Sequence, residues 1–145
     1  MATQTESVRG LPAGVRRRDR AIGTAGALAA AVAVWAVGEP VLGYDLVVEQ
    51  PGQKPNDLGM GAIAFVTLAA SLLGWALLAG LERVTARAGQ VWTVIALVVL
   101  VASFVPLIGV EASGGTKAVL ALTHVAVGVV LIPVFRRTTA AGPTR

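Results

Sequence analysis

The sequence predicts an all-α protein: an integral membrane four-helix up-down bundle with N and C termini cytoplasmic. Three observations lead there. The stretch Leu58 to Leu81 contains no charged residue and is long enough, at about 1.5 Å per helical residue, to cross a bilayer core of about 30 Å. Three more apolar runs of similar length flank it, and over the whole chain 55% of residues are apolar and 14% charged, well below the roughly one quarter charged that is usual for soluble domains. The basic residues gather next to the apolar runs, so the net charge of +4 says more about topology than about nucleic acid.

The apolar residues are mainly Ala, Val, Leu and Gly, which lets helices approach closely through small side chains. Cysteine is absent, which excludes disulfides, thiolate metal sites and thiol nucleophiles.

Residues 1–20 read as a flexible basic cytoplasmic tail, with Arg9, Arg16, Arg17, Arg18 and Arg20 against Glu6 and Asp19, and with Pro12 and Gly14 interrupting helical pattern. Its arginines fit a topology anchor that contacts anionic lipid head groups. Nucleic-acid binding lacks a supporting fold or aromatic motif. The first run, residues 21–38, is expected to stop at Glu39-Pro40, because proline lacks an N–H and restrains its predecessor. A basic segment before an apolar run also describes a signal peptide, with Ala31-Val32-Ala33 as a possible cleavage site. The length of the run and Trp35 near its far end favour a retained helix.

The outer loop, residues 39–57, is acidic, with Glu39, Asp45, Glu49 and Asp57 against Lys54. Tyr44 to Val48 suits a short extended segment, Pro51-Gly52 a turn, and Asn56 or Asp57 a helix cap. The second helix is expected over residues 58–81, with a continuation through Arg83 and Arg87, four apart on one face, to a stop at Gly89. The third covers residues 91–110, with Trp92 at the interface and Pro106 kinking its last turns. Thr116 is read as the cap of the fourth, residues 118–135, which Arg136 and Arg137 close before a disordered tail over 138–145. The N-terminal tail, the Arg83–Arg87 connection and the C-terminal tail hold ten of the twelve basic residues, and the other two connections hold five of the eight acids. By the positive-inside rule the first three are cytoplasmic. Lipid head-group contacts are accordingly expected from Arg16, Arg17, Arg18, Arg20, Arg83, Arg87, Arg136 and Arg137.

None of the four predicted hydrocarbon segments contains Asp, Glu, Lys or Arg. Proton-coupled transporters and voltage sensors generally need such a group. The small four-helix multidrug exporters, which rely on a membrane-embedded glutamate, are therefore a poor match. The ionisable residue that remains is His124, and helical rise puts it, Ser103 and Thr67 at a common depth of roughly 9 to 14 Å below the outer surface. These three form a candidate polar cluster. It serves either simple hydrogen-bond satisfaction, a pH-responsive switch, or one axial haem ligand, the second coming from another copy. No catalytic, cofactor-binding or metal-ligating set is expected. Gly114-Gly115-Thr116-Lys117 lacks the order and glycine spacing of a phosphate loop. Small residues recur at packing spacing in Gly23-x-x-x-Ala27-x-x-x-Ala31, Ala70-x-x-x-Gly74 and Ala76-x-x-x-Gly80.

As an ordered set, Gly61-Ala62-Ile63-Ala64-Phe65-Val66-Thr67-Leu68, Gly74-Trp75-Ala76-Leu77-Leu78 with Leu81-Glu82-Arg83, Val91-Trp92-Thr93-Val94-Ile95-Ala96-Leu97-Val98-Val99, Leu122-Thr123-His124 and Leu131-Ile132-Pro133 resembles an uncharacterised actinobacterial family of small four-span membrane proteins, a domain of unknown function. The resemblance covers about residues 20–138 and implies a four-helix protein of the bacterial plasma membrane, with no assigned activity or site. The expected role is that of a non-enzymatic accessory or scaffold subunit whose partners are the lipid bilayer and either another membrane protein or a second copy. An oligomeric small-solute transporter or channel component is the alternative.

Overall fold

The computed structural model describes residues 11–140. Arg9 and Glu6 of the basic tail, and residues 141–145 of the C-terminal tail, lie outside the described residues. In chain order the elements are α1 (Ala13–Ala36), a π-helical turn (Val37–Val41), the short strands β1 (Val47–Val48) and β2 (Asn56–Asp57), α2 (Met60–Val84), α3 (Ala88–Ala102), α4 (Val105–Gly109) and α5 (Gly114–Arg137). Among the described residues four helical segments are long and apolar enough to span a membrane: Ala13–Val41, Met60–Val84, Ala88–Gly109 and Gly114–Arg137.

The segments close into a ring in which α1 packs on α2 and α5, and α3 packs on α2 and α5. Each connection returns the chain at the end it left, so neighbours are antiparallel, as the up-down expectation requires. Packing follows the small residues of α1. Gly23, Ala27 and Ala31 are buried, and a β-carbon at Gly23 would fall 2.7 Å from Val134 on α5. The predicted stripe on α1 is thus the inner seam, while Ala70, Ala76 and Gly80 on α2 point outward.

Two apolar clusters divide the interior. Ala27, Leu78, Ala88, Trp92, Leu131 and Phe135 fill the end nearer the termini, and Ala31, Ile63 and Leu120 fill the other with Trp35, Leu58 and Leu107. Trp92 joins α2 to α3 by donating its indole N–H to the Gly74 carbonyl at 2.8 Å. Its ring meets Phe135 at a centroid distance of 5.3 Å.

Several boundaries differ from the sequence reading. Helix α1 begins at Ala13, so residues 13–20 are helix rather than flexible tail. The 29 residues to Val41 span about 44 Å, more than the hydrocarbon core, so the arginine-bearing turns extend beyond its end. At the other end the helix does not stop before Pro40. It widens into a π turn, in which Leu42 N–H reaches the Val37 carbonyl at 3.0 Å, because Pro40 has no N–H for a tighter bond. Gly43, at φ 71°, then turns the chain out; glycine adopts that left-handed geometry without steric cost.

The 39–57 loop is a folded cap. Val47 pairs with Asp57 and Val48 with Asn56, so the expected extended segment is present and Pro51-Gly52 forms the turn. Asn56 and Asp57 serve as strand, not as helix caps, and Gly59 occupies the N-cap of α2 without a side-chain bond. The loop docks on the opposite connection through reciprocal backbone bonds between Glu49 and Glu111, both 2.9 Å. Leu46 is buried beneath it.

Helix α2 ends at Val84 because Thr85 is extended (φ −146°, ψ 140°). Arg83 and Arg87 consequently lie on either side of a chain break instead of on one helical face, and Gly89 belongs to the first turn of α3. Pro106 acts as expected. The span is interrupted at Ser103-Phe104, where the backbone resorts to shorter three-residue bonds such as Phe104 N–H to Val101. The cap of α5 is Ser113, whose hydroxyl accepts from Thr116 N–H at 3.0 Å. Thr116 instead donates its hydroxyl to the Asp45 carbonyl at 2.8 Å, fastening the 39–57 loop.

Candidate functional site

The most elaborate polar constellation lies at the end of the bundle where the described chain begins and ends. Arg20 is carried on the face of α1 that continues into Thr24, Ala27 and Ala31, all buried. That register turns its guanidinium inward, and the residue is 3% exposed. Its Nη2 donates to Glu82 Oε1 at 2.5 Å and its Nη1 to Oε2 at 3.3 Å, a two-pronged contact with the last turns of α2. From the same guanidinium Nε donates to Thr138 Oγ1 at 3.1 Å and Nη2 to the Thr138 carbonyl at 2.7 Å. Glu82 completes the set by accepting the Ala140 N–H at 2.6 Å.

The planar fork of arginine suits this task, because several N–H groups leave it in fixed directions and match a carboxylate pairwise. Taking both charges out of water is expensive, and it is offset here by supplying nearly every polar atom with a partner. The chemical outcome is a clamp that joins α1, α2 and the chain beyond α5. The assignment of Arg20 as a lipid head-group contact is therefore corrected. A guanidinium enclosed by Glu82 and Thr138 has no free face for a head group. Residues 138–140, expected to be disordered, are ordered by the same bonds.

Glu82 was missed by sequence reasoning as a site residue, although a signal was present. It is a lone carboxylate at the end of an apolar run, on the side of the molecule where arginine dominates.

The predicted membrane cluster is arranged differently. Thr67 is buried in the bundle at 6% exposure, with Ser71 donating to its carbonyl at 2.7 Å. Ser103 donates to the Leu100 carbonyl at 2.6 Å. His124 Nδ1 lies 2.7 Å from the Leu120 carbonyl, so that nitrogen carries the proton, and the ring stands 6.1 Å from Phe104. Among the described residues no hydrogen bond joins the three. Ser103 and His124 each satisfy a polar group within their own helix, a common solution where water is absent. Among the described residues no group of three or more His, Asp or Glu is placed to hold a metal ion.

The other basic residues predicted for head groups are open. Arg17, Arg18, Arg83, Arg87, Arg136 and Arg137 are exposed and Arg16 is half-buried. Two clefts take in five of them, Arg16, Arg17 and Arg83 in one and Arg87 and Arg136 in the other. One, of about 310 Å³, lies between the start of α1 and the end of α2. The other, of about 350 Å³, lies around Arg87, Gln90 and Arg136.

Four apolar spans in an antiparallel ring, with charge confined to the ends, define a multi-pass α-helical membrane protein. The chain belongs to a family of unknown function (DUF6069), which matches residues 11–141. No curated protein and no solved structure matches it.

Proposed function

We propose that the protein is a non-enzymatic accessory or scaffold subunit of a bacterial plasma membrane, of the actinobacterial kind, packing with another membrane protein or with a second copy. The observation that carries this reading is the uneven burial of its spans. In Ala88–Gly109 only 6% of the most apolar window is covered by the rest of the chain, against 22% to 28% in the other three. Val94, Val98, Val101 and Val105 on this span are all more than 60% exposed and follow one another at helical spacing. A face of short β-branched side chains is stiff at χ1 and loses little side-chain freedom on packing. Both termini are cytoplasmic in this reading, since the exposed arginines share their end.

Val98→Cys in this cysteine-free chain tests it directly. Oxidation of native membranes is expected to trap a defined covalent species, a dimer or a heteromer with a bridged partner. Leu73→Cys on the exposed face of α2 serves as the comparison. Equal, diffuse cross-linking from both positions would overturn the reading.

The alternative, an oligomeric small-solute transporter or channel component, draws support from the half-buried position of His124 beside Phe104. Flux through liposomes that is abolished by His124→Ala would favour it over the scaffold reading.

A further inference from the structure

The cleft between α1 and α2 has a composition that the clamp does not explain. Its walls are one face of each helix: residues 13, 16, 17 and 20 of α1, at helical spacing, oppose 75, 79, 82 and 83 of α2. Among the described residues the Arg20–Glu82 contact is the only salt bridge. Arg16 makes one hydrogen bond, from Nη1 to the Leu11 carbonyl at 2.9 Å. Arg16, Arg17 and Arg83 therefore converge on one opening where Glu82 is the one lining carboxylate; Glu82 is bonded to Arg20 and feels Arg16 only through space.

The same cleft is graded in polarity along the bundle axis. Arg83 marks the rim, while Trp75, eight residues back along α2, lies about 12 Å deeper. Trp75 is held at that level by an edge-on contact with Phe135, the centroids 6.5 Å apart. Whereas Trp35 and Trp92 donate their indole N–H groups to Glu39 and Gly74, Trp75 has no such partner among the described residues. Ala79 leaves room between the floor and the rim.

We infer that this cleft is a binding site for the phosphate of an anionic phospholipid head group, with Arg16, Arg17 and Arg83 meeting the phosphate, Ala79 facing the glycerol region and Trp75 lying against the acyl chain below it. The chemistry follows from the side chains. Guanidinium groups present paired N–H donors to phosphate oxygens, and the large apolar ring of Trp75 deeper in the cleft offers a surface to an acyl chain. A free phosphate would use the rim alone, whereas the apolar floor favours a ligand with a hydrocarbon end. The Arg20–Glu82 clamp forms the inner wall and keeps α1 and α2 at the spacing the head group needs. The inference stands apart from the scaffold reading, since it concerns the other end of the molecule's chemistry.

The test uses the full chain in detergent, titrated with phosphatidylglycerol or phosphatidylcholine and read by native mass spectrometry as retained lipid adducts. The wild-type protein is expected to retain phosphatidylglycerol preferentially. Arg17→Gln with Arg83→Gln should weaken that retention about tenfold, in keeping with the loss of one or two charge-assisted bonds. Lys54→Gln with Lys117→Gln removes the same charge from the opposite end of the bundle, and should change retention less than about twofold, because it leaves those bonds intact. Equal losses in the two pairs would reduce the effect to diffuse charge and overturn the site. Displacement of the lipid by excess inorganic phosphate would make a free anion the ligand and overturn the lipid assignment. Should the glutamine pair fail to fold, Arg17→Lys with Arg83→Lys retains the charge but loses the fork. Retention then falls partway if the site is as described, and unchanged retention overturns it.

Discussion

At the scale of single residues, the molecule separates arginines that look alike in the sequence. Arg17 and Arg18 stay exposed, while Arg20, two positions on, is buried against Glu82 and Thr138. The difference is one of helical phase: Arg20 continues the Thr24, Ala27 and Ala31 seam. Removing one partner strands the other in a site built for a pair. Glu82→Ala or Arg20→Ala is therefore expected to lower stability by about 3–5 kcal/mol. Replacing both by leucine should cost less than the two single changes together, because no charge is then left without a partner. Unfolding of detergent-solubilised protein followed by circular dichroism measures this, and strict additivity would count against the clamp. A smaller residue-scale effect belongs to the cap. Ser113→Ala removes the acceptor for Thr116 N–H and should cost about 1 kcal/mol, read in the same assay. The sequence pointed to Thr116 for that duty because threonine is a good capping residue; the serine three positions earlier took it once Thr116 was drawn to Asp45.

At the scale of elements, close approach and interruption are the two themes. The seam between α1 and α5 depends on glycine where the helices nearly touch. Gly23→Ala would place a methyl group against Val134 and is expected to destabilise by about 1–3 kcal/mol, as overpacking does. Val134→Ala in the same chain should recover part of that loss. If Gly23→Ala alone is neutral in thermal unfolding, the helices are not as close as described. The break at Ser103-Phe104 has a different cause, since Pro106 cannot donate to Ala102 and its ring crowds that carbonyl. Pro106→Ala is expected to fuse α3 and α4 into one helix, and amide exchange at position 106 would then show protection typical of helix interiors. The kink was legible in the sequence because proline acts locally. The π turn at Val37–Val41 was not, because a proline near a helix end permits either a stop or a widened turn.

At the scale of the whole molecule, the four spans put both ends of the described chain at the same end of the bundle, and the charge distribution predicts that end to be cytoplasmic. Reporter fusions at either end are expected to show both termini on the cytoplasmic side, and a fusion within residues 50–54 is expected on the outer side. A terminus found outside would reverse the assignment. The membrane environment shapes how such a bundle is held together. Lipid tails are as apolar as leucine, so there is little hydrophobic drive between helices, and close packing with a few polar contacts takes its place. Ser71 and Thr123, buried beside alanine and glycine, accordingly donate to carbonyls of their own helices, and the ends carry the strongest polar bonds.

The sequence by itself determined the class: an all-α chain with apolar spans of bilayer length, a kink at Pro106, and basic residues sorted to one side. Those features depend on local composition and on period, which a linear reading retains. The tertiary structure alone decided which arginine turns inward, that Glu82 is its partner across 62 residues of chain, and that the 39–57 loop locks onto Glu111 and Thr116. It also decided that His124, Ser103 and Thr67, which helical rise predicts at similar depths, do not join. Depth follows from counting residues along a helix, but direction about the helix axis depends on how the neighbours rotate to bring Gly23 against Val134 and Trp92 against Phe135, and that is set by packing between segments distant in the chain.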